Sequence, residues 1–299
     1  MYIALQKIFM KLIYLKLVAT VFFWGSNFAV SKIALESFSP AMAALIRFIF
    51  GTIFLMVAYL NINGFRLPSF TSRQWFLVFL SAFSGVFCYN FFFFGAMGSI
   101  SAVRASLLIT SSTIFIMLLS AILFKERITF IKWIGLFITL VGVAVVIVRG
   151  DFSKLGNDSW GIGETLIILT SLSWTFYTLL AKVVLKEMNA LSVSAFSALI
   201  GTMMLFFPVL NEHPLAQIES ASLQSILAVI YIGSTATALG FVWYYEAVIK
   251  IGATNSAVIA NLTPVFAVVV AIALGEELTL ITAIGGIVVL FGIWLTNKS

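Results

Sequence analysis

The chain is poor in the residues that most catalytic, redox and metal chemistry requires. Its 299 residues include one cysteine, one histidine and five prolines, and Asp, Glu, Lys and Arg together make up only 9%. A single cysteine, Cys88, in an apolar run, supports neither a disulfide framework nor a pair of metal ligands. The one histidine, His213, precedes Pro214 in a polar break, and there is no H-E-x-x-H, no G-x-S-x-G and no Walker A sequence. No catalytic residue, metal site or cofactor is therefore expected, and ATP hydrolysis by this chain is excluded as a power source. Charge is too scarce for an ordinary soluble domain, which carries about 25% charged residues.

What fills the chain is apolar. Hydrophobic residues make up 62% of it and the mean hydropathy is +1.14, so the expected class is an all-α membrane protein. Spanning helices of about 20 residues are placed at roughly 13–35, 39–60, 74–98, 101–124, 130–148, 161–184, 190–210, 223–248, 253–274 and 280–296. The runs are too long, and alternate too little, for the strands of a barrel. Lys7, Lys11 and Lys16 precede the first run without a small-residue cleavage site, so it reads as an uncleaved helix. The excess of basic residues, 17 against 11 acidic, sits in short loops and indicates topology, not nucleic-acid binding. Ten spans put Arg66, Arg73, Lys125, Arg127, Lys132, Lys182, Lys186, Lys250 and Lys298 on the cytoplasmic side. Asp151, Asp158, Glu212, Glu219, Glu276 and Glu277 lie opposite, with Arg149 and Lys154 as the basic exceptions in the longest outer loop. Both termini are then cytoplasmic.

Shifting the chain by 150 residues aligns it with itself: Trp24 falls on Trp174, Lys32 on Lys182, Gly51-Thr52 on Gly201-Thr202, Glu126 on Glu276, Gly135 on Gly285 and Gly142 on Gly292. Residues 1–150 and 151–299 read as two repeats of five helices each. Because five is odd, the second repeat enters the membrane in the opposite sense. Carriers built this way hold substrate near the midplane, where the halves meet.

Trp24-Gly25-Ser26-Asn27-Phe28 followed by Lys32, then Pro40 and Arg47, and Phe124-Lys125-Glu126-Arg127-Ile128-Thr129 with its echo Leu274-Gly275-Glu276-Glu277-Leu278-Thr279, resemble the EamA family of the drug/metabolite transporter superfamily over nearly the whole chain. The resemblance implies ten helices in inverted repeats, a bacterial cytoplasmic (inner) membrane, and a small-molecule substrate such as an amino acid or related compound, usually exported. An importer or exchanger of a nucleotide-derived metabolite is the alternative; an intramembrane enzyme or a structural subunit is a more distant one. The family's proline after threonine is present as Pro264, whereas Ile114 follows Thr113. A kink is therefore expected in the ninth helix and is left open in the fourth.

Polar and aromatic residues within the spans are the candidates for substrate contact. Trp24, Asn27 and Ser31 share one face of the first helix, and Trp174 and Tyr177 share the equivalent face of the sixth. They either line a common cavity or pack the bundle. Tyr89 and Asn90 have no polar counterpart in the second repeat, and Asn90 serves either a ligand or a neighbouring helix. Tyr245 and Glu246 end the eighth span, where Glu246 is a proton site, a partner for a substrate amine, or paired with Lys250. Asn261, Thr263 and Pro264, with Thr113, mark backbone that forms either a hinge or a binding group. Arg47 reads as structural or gating before substrate-binding. Lys32 and Glu36 read as a surface pair. Gly135, Gly142, Gly285, Gly286 and Gly292 suit close packing, as scaffold or in a homodimer. The partners expected are thus the bilayer, a small molecule and a second copy, with no nucleic acid. Tags at both termini are expected to be reachable only from the cytoplasm; labelling of either one by an impermeant reagent from outside would break the even span count.

Overall fold

The computed structural model describes residues 2–65, 67–125, 128–148, 160–251, 259–260 and 262–297, and among these every regular element is helical. In chain order they are α1 (Tyr2–Ala34), α2 (Pro40–Asn63), α3 (Ser72–Ser81), α4 (Tyr89–Met97), α5 (Ala102–Leu108), α6 (Ser112–Phe124), α7 (Phe130–Val148), α8 (Ile162–Val184), α9 (Ala190–Val209), α10 (Pro214–Ser220), α11 (Leu223–Tyr231), α12 (Gly240–Ile251), α13 (Thr263–Ala273) and α14 (Leu280–Asn297). Seven continuous stretches are long and apolar enough to cross a membrane: Met10–Ala34, Pro40–Asn63, Ser72–Met97, Ala102–Phe124, Ile162–Val184, Ala190–Val209 and Leu223–Tyr244. Phe130–Val146, Thr263–Ala273 and Leu280–Thr296 are shorter apolar helices where the fifth, ninth and tenth spans are expected. The outer-loop charges Arg149, Asp151, Lys154 and Asp158, together with Arg66, Glu126, Arg127 and Lys298, lie outside the described residues.

Local chemistry starts these helices at matching places in the two halves. Ser39 and Asn189, 150 residues apart, cap α2 and α9: Ser39 Oγ accepts from the Met42 amide at 3.1 Å, and Asn189 Oδ1 from the Leu191 amide at 2.9 Å. Between α3 and α4 the chain is π-helical over Ala82–Cys88, and between α11 and α12 it is π-helical over Ile232–Leu239. The starts of these two segments are again 150 residues apart, so the distortion belongs to the repeat. The fourth apolar stretch is also interrupted, by a 3-10 turn at Ile109–Ser111. That break has no proline. Pro264 stands in the first turn of α13 instead of inside a continuous helix, where its missing N–H costs no helical bond.

The halves meet along α2 and α9. Thr52 and Thr202 share a hydrogen bond of 2.8 Å, and Tyr59 packs edge-on against Phe196 at 5.2 Å, so the two helices run antiparallel. At the other side of the bundle α7 and α14 cross at their glycines. A Cβ on Gly142 would lie 2.9 Å from the Gly285 carbonyl oxygen, and one on Gly135 would lie 2.8 Å from that of Gly292. These glycine faces are filled within one chain, which makes them scaffold.

Charged groups tie the helix ends. Arg104 at the start of α5 pairs with Glu164 in the first turn of α8 at 2.7 Å, with side chains 8% and 4% exposed. Glu276 accepts from the Ala102 and Val103 amides at 2.9 and 3.0 Å, closing the N-terminus of α5. Beside them Lys32 donates to the Met97 carbonyl at 3.2 Å, which replaces the surface pair with Glu36 expected from their spacing. Its repeat partner, Lys182, donates to Ser120 at 2.9 Å. Lys16–Glu246 and Arg73–Glu187, at 2.8 and 2.9 Å, are the more exposed pairs. Replacing Glu164 with Ala strands the buried Arg104 guanidinium and is expected to cost about 3–5 kcal/mol. Thermal unfolding in detergent reads this directly, and an unchanged midpoint would show that the pair contributes nothing.

Candidate functional site

A cavity of about 400 Å³ opens where the π segments, α1, α8 and the broken fourth stretch converge. Trp24, Asn27, Arg47, Tyr89, Asn90, Thr113, Trp174, Thr263 and Pro264 of the expected site residues line it. Tyr177 and Glu246 are not among its walls. Asn261 and the side chain of Tyr245 lie outside the described residues.

Each wall residue is held by an identifiable neighbour. The Trp24 indole N–H donates to the carbonyl of Ala236, in the second π segment, at 2.9 Å. Its ring lies 5.1 Å from that of Tyr244. On the opposite wall Trp174 packs against Tyr89 at 5.7 Å, and Tyr89 stacks on Phe93 at 5.9 Å. The Tyr89 hydroxyl makes no hydrogen bond to any described residue. Asn27 is 4% exposed, and its Oδ1 accepts from Ser31 of the same helix at 3.4 Å. No bond from Asn27 crosses to another helix among the described residues.

Among the described residues Arg47 is the only charged one lining the cavity. It is 6% exposed, its Nε donates to Thr237 Oγ1 at 3.1 Å and its Nη1 to Asn90 Oδ1 at 3.1 Å. Asn90 also donates to the Val86 carbonyl at 2.7 Å. It is thus occupied on both sides, and its visible role is to orient Arg47. Burying a guanidinium without a carboxylate is unfavourable unless neutral oxygens or a ligand compensate.

Two expected residues are placed elsewhere. Tyr177 turns onto Gly85 of the first π segment, where a Cβ would come within 2.2 Å of its ring. Only glycine admits that approach. Thr178, one residue on, lines the cavity instead. Glu246 pairs with Lys16 of α1, a partner that spacing within its own helix does not reveal. Several wall residues were not expected. Thr110 lies within the 3-10 turn and Ser112 follows it, and Phe28, Phe48 and Phe241 are apolar letters within apolar spans, which nothing distinguishes from core. The 3-10 turn itself is stabilised from α8: Ser171 Oγ donates to the Ile109 carbonyl at 3.3 Å and Thr175 Oγ1 to that of Ser112 at 3.4 Å.

A family model described as the EamA-like transporter family matches residues 11–148 and again residues 161–298. The uncharacterized transporter YyaM of Bacillus subtilis (strain 168) is 23% identical over 281 residues, covering 94% of this chain and 92% of its own. A "Probable terminal-alkyne amino-acid exporter" of Streptantibioticus cattleyicolor is 27% identical over 285 residues, covering 94% of this chain and 92% of its own. One solved structure superposes with a TM-score of 0.66 at 19% sequence identity, over 95% of this chain and 96% of its own, which bears on the fold alone.

The geometry separates two aromatic replacements. Trp24→Phe leaves the Ala236 carbonyl without its donor and is expected to destabilise by about 1–3 kcal/mol. Tyr89→Phe removes a hydroxyl with no protein partner and is expected to leave the thermal midpoint in detergent unchanged. The reverse order would show the walls to be held differently.

Proposed function

The chain belongs to the EamA-like transporter family, and on that premise we propose that it is a secondary carrier moving a small amphipathic metabolite across a bacterial cytoplasmic membrane by alternating access. In this reading ten helices cross the bilayer as two inverted repeats, 1–150 and 151–299, with both termini in the cytoplasm. The three shorter apolar helices complete the ten. The observation that carries the reading is the cavity between the repeats, walled by Trp24 on one side and its repeat partner Trp174 on the other. Rings bind an apolar body, while Asn27, Thr113, Thr263 and the Arg47 guanidinium offer polar groups that fix its orientation. Asn90 acts through Arg47. Tyr177 supports the wall from behind, and Thr178 takes the place facing the cavity.

Alternation requires that the cavity close at one end before it opens at the other. The buried Arg104–Glu164 pair and the Glu276 cap support a firmly closed end. Exposed pairs such as Lys16–Glu246 and Arg73–Glu187 contribute little stability and break at small cost, which suits the end that opens first. Glu246 is then a gate residue and not a substrate ligand. The nucleotide-exchanger reading leans on Arg47 and Glu246 as charge partners of the substrate, and of these two only Arg47 is among the cavity's lining residues. The exporter among the relatives supports outward movement, and amino acids or related compounds are the first substrates to test. The relatives' transporter names support a carrier and not a catalyst.

Counterflow of labelled amino acids into proteoliposomes is expected to be saturable and to fall when Trp24 or Trp174 is replaced by Ala. No saturable counterflow with any member of a broad metabolite panel would overturn the carrier assignment.

A further inference from the structure

Among the described residues the cavity carries one fixed charge and nothing to balance it. Its walls contain Arg47 and neither Asp nor Glu. Among the described residues the ion pairs are Lys16–Glu246, Arg73–Glu187 and Arg104–Glu164, none of which involves Arg47. Two of its five N–H groups are engaged, by Thr237 and Asn90. Its remaining N–H groups have no partner among the described residues, and it lines the cavity together with Tyr89, whose hydroxyl makes no hydrogen bond to any described residue.

We propose that this corner is the seat of a carboxylate, and that the carried substrate is an organic monoanion with an aromatic or branched apolar body. The inference rests on the carrier reading and adds the substrate's charge to it. A guanidinium presents parallel N–H donors that match the two oxygens of a carboxylate, and such charge-assisted pairs are stronger than neutral ones. In a water-poor cavity the net charge decides the order of ligands. A monoanion brings the site to neutrality, a neutral molecule or a zwitterion leaves it at one positive charge, and a cation doubles it. An ammonium group meets ring faces, hydroxyls and the amides of Asn27 and Asn90 here, and no carboxylate among the described residues, a weaker reception than a carboxylate would give. Thr237 and Asn90 fix the guanidinium plane from opposite sides and so orient the anion toward Trp24 and Trp174. These two residues come from the two repeats, so the seat spans the interface that alternation has to rearrange.

The test uses four ligands of one body: 3-phenylpropionate, 3-phenylpropanamide, phenylalanine and 3-phenylpropylamine. Binding to the full chain in nanodiscs is read by tryptophan fluorescence and by isothermal titration. The carboxylate is expected to bind at least about tenfold more tightly than the amide, and the amine most weakly. Arg47→Lys is expected to keep the order with weaker binding, and Arg47→Gln to reduce the carboxylate preference to about twofold or less. Tyr89→Phe is expected to weaken the carboxylate several-fold and leave the amide unchanged. Should the Arg47 variants fail to fold, the wild-type series and Tyr89→Phe still decide. Equal binding of the four, preference for the amide or amine, or binding by none of them overturns the anion seat. Counterflow measured in parallel separates the two readings: saturable movement of a neutral or cationic compound alone overturns the anion seat and leaves the carrier intact. Absence of counterflow by anything overturns the carrier.

Discussion

Hydrocarbon offers no partner to a peptide group, so every backbone N–H and C=O inside a membrane has to be satisfied by the protein itself. Continuous α-helix does this without help from side chains. Wherever this chain departs from it, a side chain has moved in to hold the carbonyl: Trp24 on Ala236, Asn90 on Val86, Ser171 on Ile109 and Thr175 on Ser112. The cavity lies where these departures cluster. Breaking the ladder makes room and frees carbonyls in one step, and the groups recruited to those carbonyls become the walls. The site is thus a by-product of how the fold settles its backbone hydrogen bonds, with the two π segments supplying the same irregularity from each repeat.

Much of this could be read in advance, and for physical reasons. Composition and run length identify an all-helical membrane chain, and the matched Trp, Lys, Glu and Gly letters identify the repeat because they are rare in apolar background. Trp24, Asn27, Tyr89 and Trp174 stood out because a polar or amphipathic group inside a span needs a destination. The π segments were not legible, since one additional residue in a turn leaves no composition signature. Nor was the full setting of Tyr177: helical spacing puts it on the face of Trp174, whose ring it meets at 5.5 Å, while its ring also packs on Gly85 and Thr178 takes a place in the cavity wall. Long-range pairing was equally hidden. Glu246 and Lys250 share a helical face, yet Lys16 reaches Glu246 from another helix, 230 residues away in the chain.

The repeat is also imperfect where it matters. Thr52 meets Thr202 and the glycines of α7 meet those of α14 in matched fashion, as befits a scaffold. The site is matched only in part: Trp24 and Trp174, and Thr113 and Thr263, are repeat partners in its wall. Arg47, Tyr89 and Asn90 fall opposite Ser197, Leu239 and Gly240 in the second repeat. Symmetry lets one architecture face either side of a membrane, and asymmetry lets it hold a molecule that has a head and a tail. Keeping the scaffold symmetric and the lining partly asymmetric reconciles the two demands.

The lone cation at Arg47 reaches beyond recognition to the electric field across the membrane. A carrier that is positive when empty and neutral when loaded with an anion shifts one negative charge outward in each cycle. In a cell whose interior is negative, that movement runs downhill, at about 2.3 kcal/mol per charge for every 100 mV. Over a full cycle the guanidinium's own charge cancels, so what it decides is which half-step feels the voltage: the return of the empty carrier. The same voltage would make the protein a poor route inward for the molecule it carries out.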